Sequence, residues 1–251
     1  MVGVFSFSIA LILMENKMIY AWIDDEKRQP LIKGEKTLCR DCGGMLSAVL
    51  PEQNIHHWRH KAGDCDTWSE PEGPWHLGWK EYFSEECREI SLRDSLTNEL
   101  HRADILFGQG TGYETVLELQ HSPISEEERI SRARFSKQGR RMFWLVHIDA
   151  TSTSSNGWNF HISLDFKSKL VQHNSRTYGI MQWYGRSKQF IEKWKRSDAY
   201  VFFDFKGHIF YLANSHFAAK LNGGIPLNKG EFALCALTKN ELIDAIKRPH
   251  T

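Results

Sequence analysis

A chain of 251 residues with 41% hydrophobic and 25% charged composition can bury a substantial core, as one large domain or two small ones, and this composition excludes a disordered protein. The formal net charge of +1 supplies no overall basic footprint, so any nucleic-acid site has to be a local cluster in a balanced surface. Five cysteines, two of them in a C-x-x-C, point to reduced thiols and a metal instead of a disulfide framework, and so to a cytoplasmic protein.

The opening stretch, Val2 to Met14, is apolar but too short to span a bilayer, has no basic leading region, and runs into Glu15 where a cleavage site would need small residues. It does not read as a convincing signal peptide; an extension over residues 1–17 and an extra edge strand are the two readings. Next, Cys39-Arg40-Asp41-Cys42-Gly43-Gly44 has the form of a metal knuckle, in which glycines let backbone amides turn toward the thiolates. His57-Trp58-Arg59-His60 follows, and two thiolates with two imidazoles would close a structural, tetrahedral zinc site. His56 and Cys65 compete for the fourth position. A thioredoxin-like redox pair is the alternative, but the surrounding βαβ pattern is missing. Trp58 reads as the miniature core of this module, which spans residues 18–66.

Thr67 to Pro74 breaks the chain, and Pro74 opens a helix predicted to run to about Ile90, with Trp75, Trp79, Tyr82, Phe83 and Ile90 as its apolar stripe. His76 and Lys80 sit four apart on another face, which Glu72 can join from just before the helix. Two strands follow. Ala103 to Phe107 alternates, with Asp104 as the polar exception, and Thr115 to Gln120 puts Glu118 and Gln120 on one face and Leu117 and Leu119 on the other. Acids on hairpin partners can share a hard divalent cation, as phosphodiester chemistry requires. A solvated sheet face with scattered acids is the plainer reading.

Ser125 with Glu128 forms a capping box that starts a helix to about Gln138. Its cations, Arg129, Arg132, Arg134 and Lys137, with Arg140 and Arg141 beyond, either track a DNA backbone or are simply solvated. Met142 to Ile148 is a continuous apolar strand, so strand, helix and strand make a right-handed crossover. The expected sheet is mixed, antiparallel at the acid hairpin and parallel at the crossover, with helices on both sides. Ala150 to Gly157 reads as a loop, Trp158 to Phe166 alternates like a strand, and Ser187 to Arg196 is helical with a basic side. A hairpin turning at Lys206-Gly207 joins Tyr200–Phe205 to His208–Leu212, and Thr238 with Glu241 caps a last helix to about Arg248.

Asp104…Glu118-x-Gln120 resembles the core of the PD-(D/E)XK restriction-endonuclease-like nucleases, with Gln where the pattern has Lys. RADILF, ELQHSPIS and EEERISRAR, with the C-x-x-C and H-W-x-H pair and the E-x-x-x-H-x-x-x-K run of Glu72, His76 and Lys80, are similar to the CoiA-like competence proteins, over about Met18 to His147. The resemblance implies an α/β restriction-endonuclease-like core over 67–150, between the zinc module and an α+β C-terminal region over 151–251, with Met18 as the natural start. It implies a structural zinc on Cys39, Cys42, His57 and His60. It also implies a metal-dependent DNA nuclease in which Asp104, Glu118 and the backbone carbonyl of Leu119 hold magnesium or manganese and Gln120 orients the attacking water.

The resemblance implies that Glu72, His76 and Lys80 assist that site, with the charge that Gln120 lacks coming from Lys80, a second metal or nothing, and Arg129, Arg132 and Lys137 are the candidates for contact with DNA. Gly73-Pro74 departs from the family, which commonly has a Thr-Glu pair there, so one auxiliary acid is missing. DNA is the expected partner, in uptake, processing or recombination, while self-assembly and protein partners stay open. The rival readings are an inactive, nuclease-derived DNA-binding module and a zinc-stabilised interaction domain.

Overall fold

The computed structural model describes residues 18–53, 55–61, 65–66, 68, 72–149, 155–165, 169–173, 175–183, 188–213 and 227–249. The expected extension over residues 1–17 and most of the loop after Ala150 lie outside these. The chain forms two compact units whose boundary falls between Leu77 and Gly78. No helix of the described residues is long and apolar enough to cross a membrane.

The first unit is built from short antiparallel strands. β1 (Ala21–Ile23) and β2 (Glu26–Arg28) are joined through Asp24 and Asp25, both at positive φ (47° and 67°), as a two-residue turn matched to strand twist requires. β3 (Lys36–Leu38), β4 (Met45–Val49) and β5 (His57–His60) form a three-stranded meander. Trp58 on β5 is fully buried among Met18, Ala21, Leu46 and Ala48, and its indole donates to the carbonyl of Arg28 at 3.2 Å. It is the module's core.

Helix α1 (Pro74–Lys80) crosses the boundary and is shorter than expected. The chain turns at Tyr82 and Phe83, passes a 3-10 turn at Glu85–Cys87, and enters β6 (Arg88–Arg93). Helical spacing from Phe83 to Ile90 was coincidental. β6 instead pairs along its length with β7 (Leu100–Phe107), and that long-range pairing overrides the local period. β8 (Thr115–Gln120), α2 (Glu126–Ser136) and β9 (Arg141–Ile148) follow with the expected crossover, and the Ser125 hydroxyl accepts from the Glu128 amide at 3.0 Å.

α3 (Ser155–Asp165) stands where a strand was expected. Its inward side buries Phe160 with the polar Asn159 and Ser163, so hydrophobic alternation misses it. The Ser163 hydroxyl satisfies itself on the carbonyls of Asn159 and Gln182, at 2.8 and 3.0 Å. Then come β10 (Lys169–His173), β11 (Arg176–Gln182), α4 (Lys188–Lys195), β12 (Tyr200–Phe205), β13 (His208–Ala213), β14 (Glu231–Leu237) and α5 (Lys239–Lys247). The β12–β13 hairpin turns at Lys206-Gly207, both at positive φ, and α5 starts in the expected Thr238–Glu241 capping box.

One mixed sheet of nine strands carries the second unit, in the order β10-β11-β14-β13-β12-β9-β8-β7-β6. β8, β9 and β12 are parallel and the rest antiparallel. The sheet continues without a break through β12 to β10, so the residues expected to form a C-terminal region of their own complete the sheet that carries the acids. Helices cover both faces. α2, α3 and α4 lie on the face of Glu118 and Trp144, through Arg132, Phe160 and Trp194, while α1 reaches Asp204 on the opposite face through Trp79.

Candidate functional site

Two constellations of chemically competent side chains stand out, one in each unit. In the first, Cys39, Cys42, His60 and Cys65 bring one donor atom each to within 4.8 Å of one another. Cys39 Sγ is 3.9 Å from Cys65 Sγ, and Cys42 Sγ is 3.5 Å from His60 Nε2. The knuckle is shaped by backbone bonds from Gly43 N to Cys39 O and from Cys39 N to Gly44 O, both 2.8 Å. Gly43 sits at φ 71°, which favours glycine, and a Cβ on Gly44 would come within 3.1 Å of Cys42 Sγ and press on the thiolate. Burial pushes the Cys39 thiol up, a cost that a metal offsets because it is the thiolate that ligates. Three sulfurs and an imidazole make a donor set able to hold a metal such as zinc.

His57, expected as the fourth ligand, is not one of the four donors. On a strand, residues three apart point to opposite faces, so His60 shares a face with Trp58 and His57 turns the other way, its Nδ1 2.9 Å from Ile55 O. Cys65 takes the place, and His56 lies exposed outside the group.

In the second unit the acid hairpin pairs only from Phe107↔Thr115 to Ile105↔Leu117. Beyond that the strands part, and the Leu119 amide donates to Asp104 Oδ2 at 2.8 Å instead of to a strand carbonyl. Asp104 is thus wedged at the fork, its carboxylate held by the strand that carries Glu118. Its other oxygen, Oδ1, is 3.2 Å from Lys80 Nζ at the end of α1. Lys80 is 1% exposed and also meets Glu89 Oε1 at 3.3 Å.

Sequence reasoning missed Glu89, having placed it in a helix. It lies on β6 between the pairs Arg88↔Ile105 and Ile90↔Ala103, directly across from Asp104, and is buried at φ 47°. A bulky residue held in the left-handed region stores backbone strain that surrounding contacts must sustain, and such residues concentrate at working sites. The only signal in the sequence was an acid within a strand-forming run next to Ile90 and Leu92.

Glu118 and Gln120 share the face covered by α2. Arg132 Nη2 is 3.1 Å from Glu118 Oε2, and its guanidinium lies over the Trp144 ring, 5.5 Å from the centroid. The Gln120 amide donates to Ser122 O at 2.9 Å and accepts from Arg132 at 3.5 Å, which commits both ends of the side chain. Lys80 thus meets two carboxylates, Asp104 and Glu89, while Arg132 meets Glu118.

Glu72 is half-buried ahead of α1, and His76 is buried on it, its ring edge-on to Trp75 at 5.1 Å; both belong to the first unit and Lys80 to the second. Arg129 and Arg132, expected on an exposed DNA-facing side of α2, are buried, because that helix turns its 129, 132, 133 and 136 positions inward. Lys137 is half-exposed and bound to Asp198 at 2.7 Å. Arg140 pairs with Glu114 at 2.8 Å, and Arg141 donates to the carbonyls of Ala245, Ile246 and Arg248, closing the C-terminal end of α5.

No curated protein and no solved structure matches the chain. Residues 77–204 match the family described as competence protein CoiA, nuclease-like domain. That span opens three residues before Lys80, takes in Glu89, Asp104, Glu118 and Arg132, and closes on Asp204. With half of its length accounted for in this way, the chain belongs to the CoiA nuclease-like domain family.

Proposed function

We propose that the chain hydrolyses DNA phosphodiester bonds with a divalent cation, magnesium or manganese, held by Asp104, Glu118 and the backbone carbonyl of Leu119, and that it acts in uptake, processing or recombination of DNA. The observation that carries this reading is Lys80 Nζ, 3.2 Å from Asp104 Oδ1. It supports Lys80 as the cation that the family pattern normally takes from the strand, where this chain has Gln120. The donors also suit a hard divalent ion, since all are oxygens and Asp104 keeps 18% of its side chain open at the fork. Bound there, such an ion polarises the phosphate and lowers the pKa of the attacking water.

The chain's own residues divide the remaining work. Leu119 N–H fixes one Asp104 oxygen, so the carboxylate cannot rotate away. Glu89 accepts from Lys80 and holds its side chain at the fork, where charge grows on the phosphate in the transition state. Arg132 orients Glu118, and Gln120 positions Arg132 rather than a water.

The test is incubation of the purified protein with linear and circular, single- and double-stranded DNA, with magnesium or manganese and with EDTA. Cleavage is expected with metal only, and Asp104→Ala, Glu118→Ala and Lys80→Met should each lower it by at least about 100-fold, the scale on which losing a group that stabilises developing charge is felt. Undiminished cleavage by Asp104→Ala would refute the assignment. The burial of Glu118 against Arg132 favours one alternative, a module that binds DNA without cutting. Retained binding with no cleavage in either metal would select it.

A further inference from the structure

Arg129 is 1% exposed, yet its guanidinium makes no hydrogen bond or ion pair with any described residue, and its Nε is buried without a partner. A buried guanidinium without a hydrogen-bonded partner is costly, and burial pushes Arg129 below its ordinary pKa against the attraction of Glu126 and Asp198. The side chain lines a groove of about 550 Å³ between α2 and the turn that joins α4 to β12, in the size range of sites that take a nucleotide-sized group. Arg134, Lys137 and Arg196 line the same groove with Glu126 and Asp198. The two acids are already taken, Glu126 by Arg196 and Asp198 by Lys137, each at 2.7 Å. Arg129 at the floor and Arg134 at the exposed rim therefore have no carboxylate within ion-pair distance among the described residues.

We infer that this groove seats a phosphate of a nucleic-acid strand, with Arg129 as its buried fork donor and Arg134 closing on it from the rim. The inference rests on the nuclease reading for the source of the phosphate and on the unpaired guanidinium for the site itself. A guanidinium fork matches phosphate oxygens two at a time. Arg129 lies three residues before Arg132, about 4.5 Å along the helix axis.

The test uses the full chain carrying Asp104→Ala, to prevent cutting, with and without Arg129→Gln, and with Arg129→Lys as a variant that keeps the charge but loses the fork. Thermal melting is recorded with and without inorganic phosphate, and labelled single-stranded DNA is titrated by fluorescence anisotropy across salt. Phosphate should raise the melting temperature of the Asp104→Ala protein but not of the Arg129→Gln form, and that substitution should reduce the magnitude of the salt slope by about 0.7, the share of one phosphate on a single strand. Without phosphate, Arg129→Gln should melt no lower than its parent, since it removes an unpaired charge; a merely structural arginine would show the opposite. An equal phosphate shift in both proteins overturns the site. A phosphate shift that depends on Arg129, in a protein whose DNA binding is unchanged or absent, overturns the strand as the source and leaves a free phosphate or nucleotide.

Discussion

On the proposed reading, Lys80 delivers to this site the charge that Gln120 lacks. The ammonium comes from the end of a helix and is held between two carboxylates, while the strand position carries an amide committed to Ser122 and Arg132. Restoring the family pattern by Gln120→Lys should therefore fail to raise cleavage. It would bury a second cation against Arg132 and should lower stability by about 2 kcal/mol or more, read from denaturant unfolding. A stable, more active Gln120→Lys enzyme would show that the strand position still points at the chemistry. At this scale the sequence was legible where a residue type has few uses. The C-x-x-C declared itself by chemistry and spacing. Glu89 did not, because its role depends on a strand pairing that joins residues far apart in the chain. Nor did the choice of Cys65 over His57, which depends on knowing that His57 to His60 is a strand.

Among the elements, α1 matters most for its position, since it must bring Lys80 to the fork. Its anchor is the Trp79 indole, which donates to Asp204 Oδ2 at 2.9 Å across 125 residues of sequence, while the Gly207 amide holds the other oxygen at 3.1 Å. Trp79→Phe keeps the ring but leaves a buried carboxyl short of a donor, and should cost about 1–3 kcal/mol. Cleavage should fall with it even under conditions where the variant is fully folded, because Lys80 is the next residue. Full activity in a folded Trp79→Phe protein would remove α1 anchoring from the account. Caps and the β12–β13 turn were readable from sequence because their signals are local: a hydroxyl three residues ahead of a glutamate, or a Lys-Gly pair. α3 was not, since its buried stripe uses Asn159 and Ser163, and polar residues that satisfy themselves inside a helix leave no hydrophobic period to read.

For the whole molecule, the two units reach stability by different means. The nine-stranded sheet buries both faces of β8 and β9, whereas the first unit has a small core around Trp58 and needs a staple. Zinc on Cys39, Cys42, His60 and Cys65 would be that staple. Cys65→Ser should then lower the zinc content of the purified protein, measured by plasma mass spectrometry, while His57→Gln leaves it unchanged; the reverse pattern would restore His57 as the ligand. The mixed sheet with helices on both faces followed from the alternation of strand and helix signals. Its extent did not, because β10, β11 and β14 are recognisable only once β12 is seen to pair in parallel with β9. That pairing has a consequence for synthesis. The Trp79 indole bonds Asp204 on β12, 125 residues further along the chain, so α1 gains that anchor only once β12 has been made, well after the β7–β8 hairpin is complete.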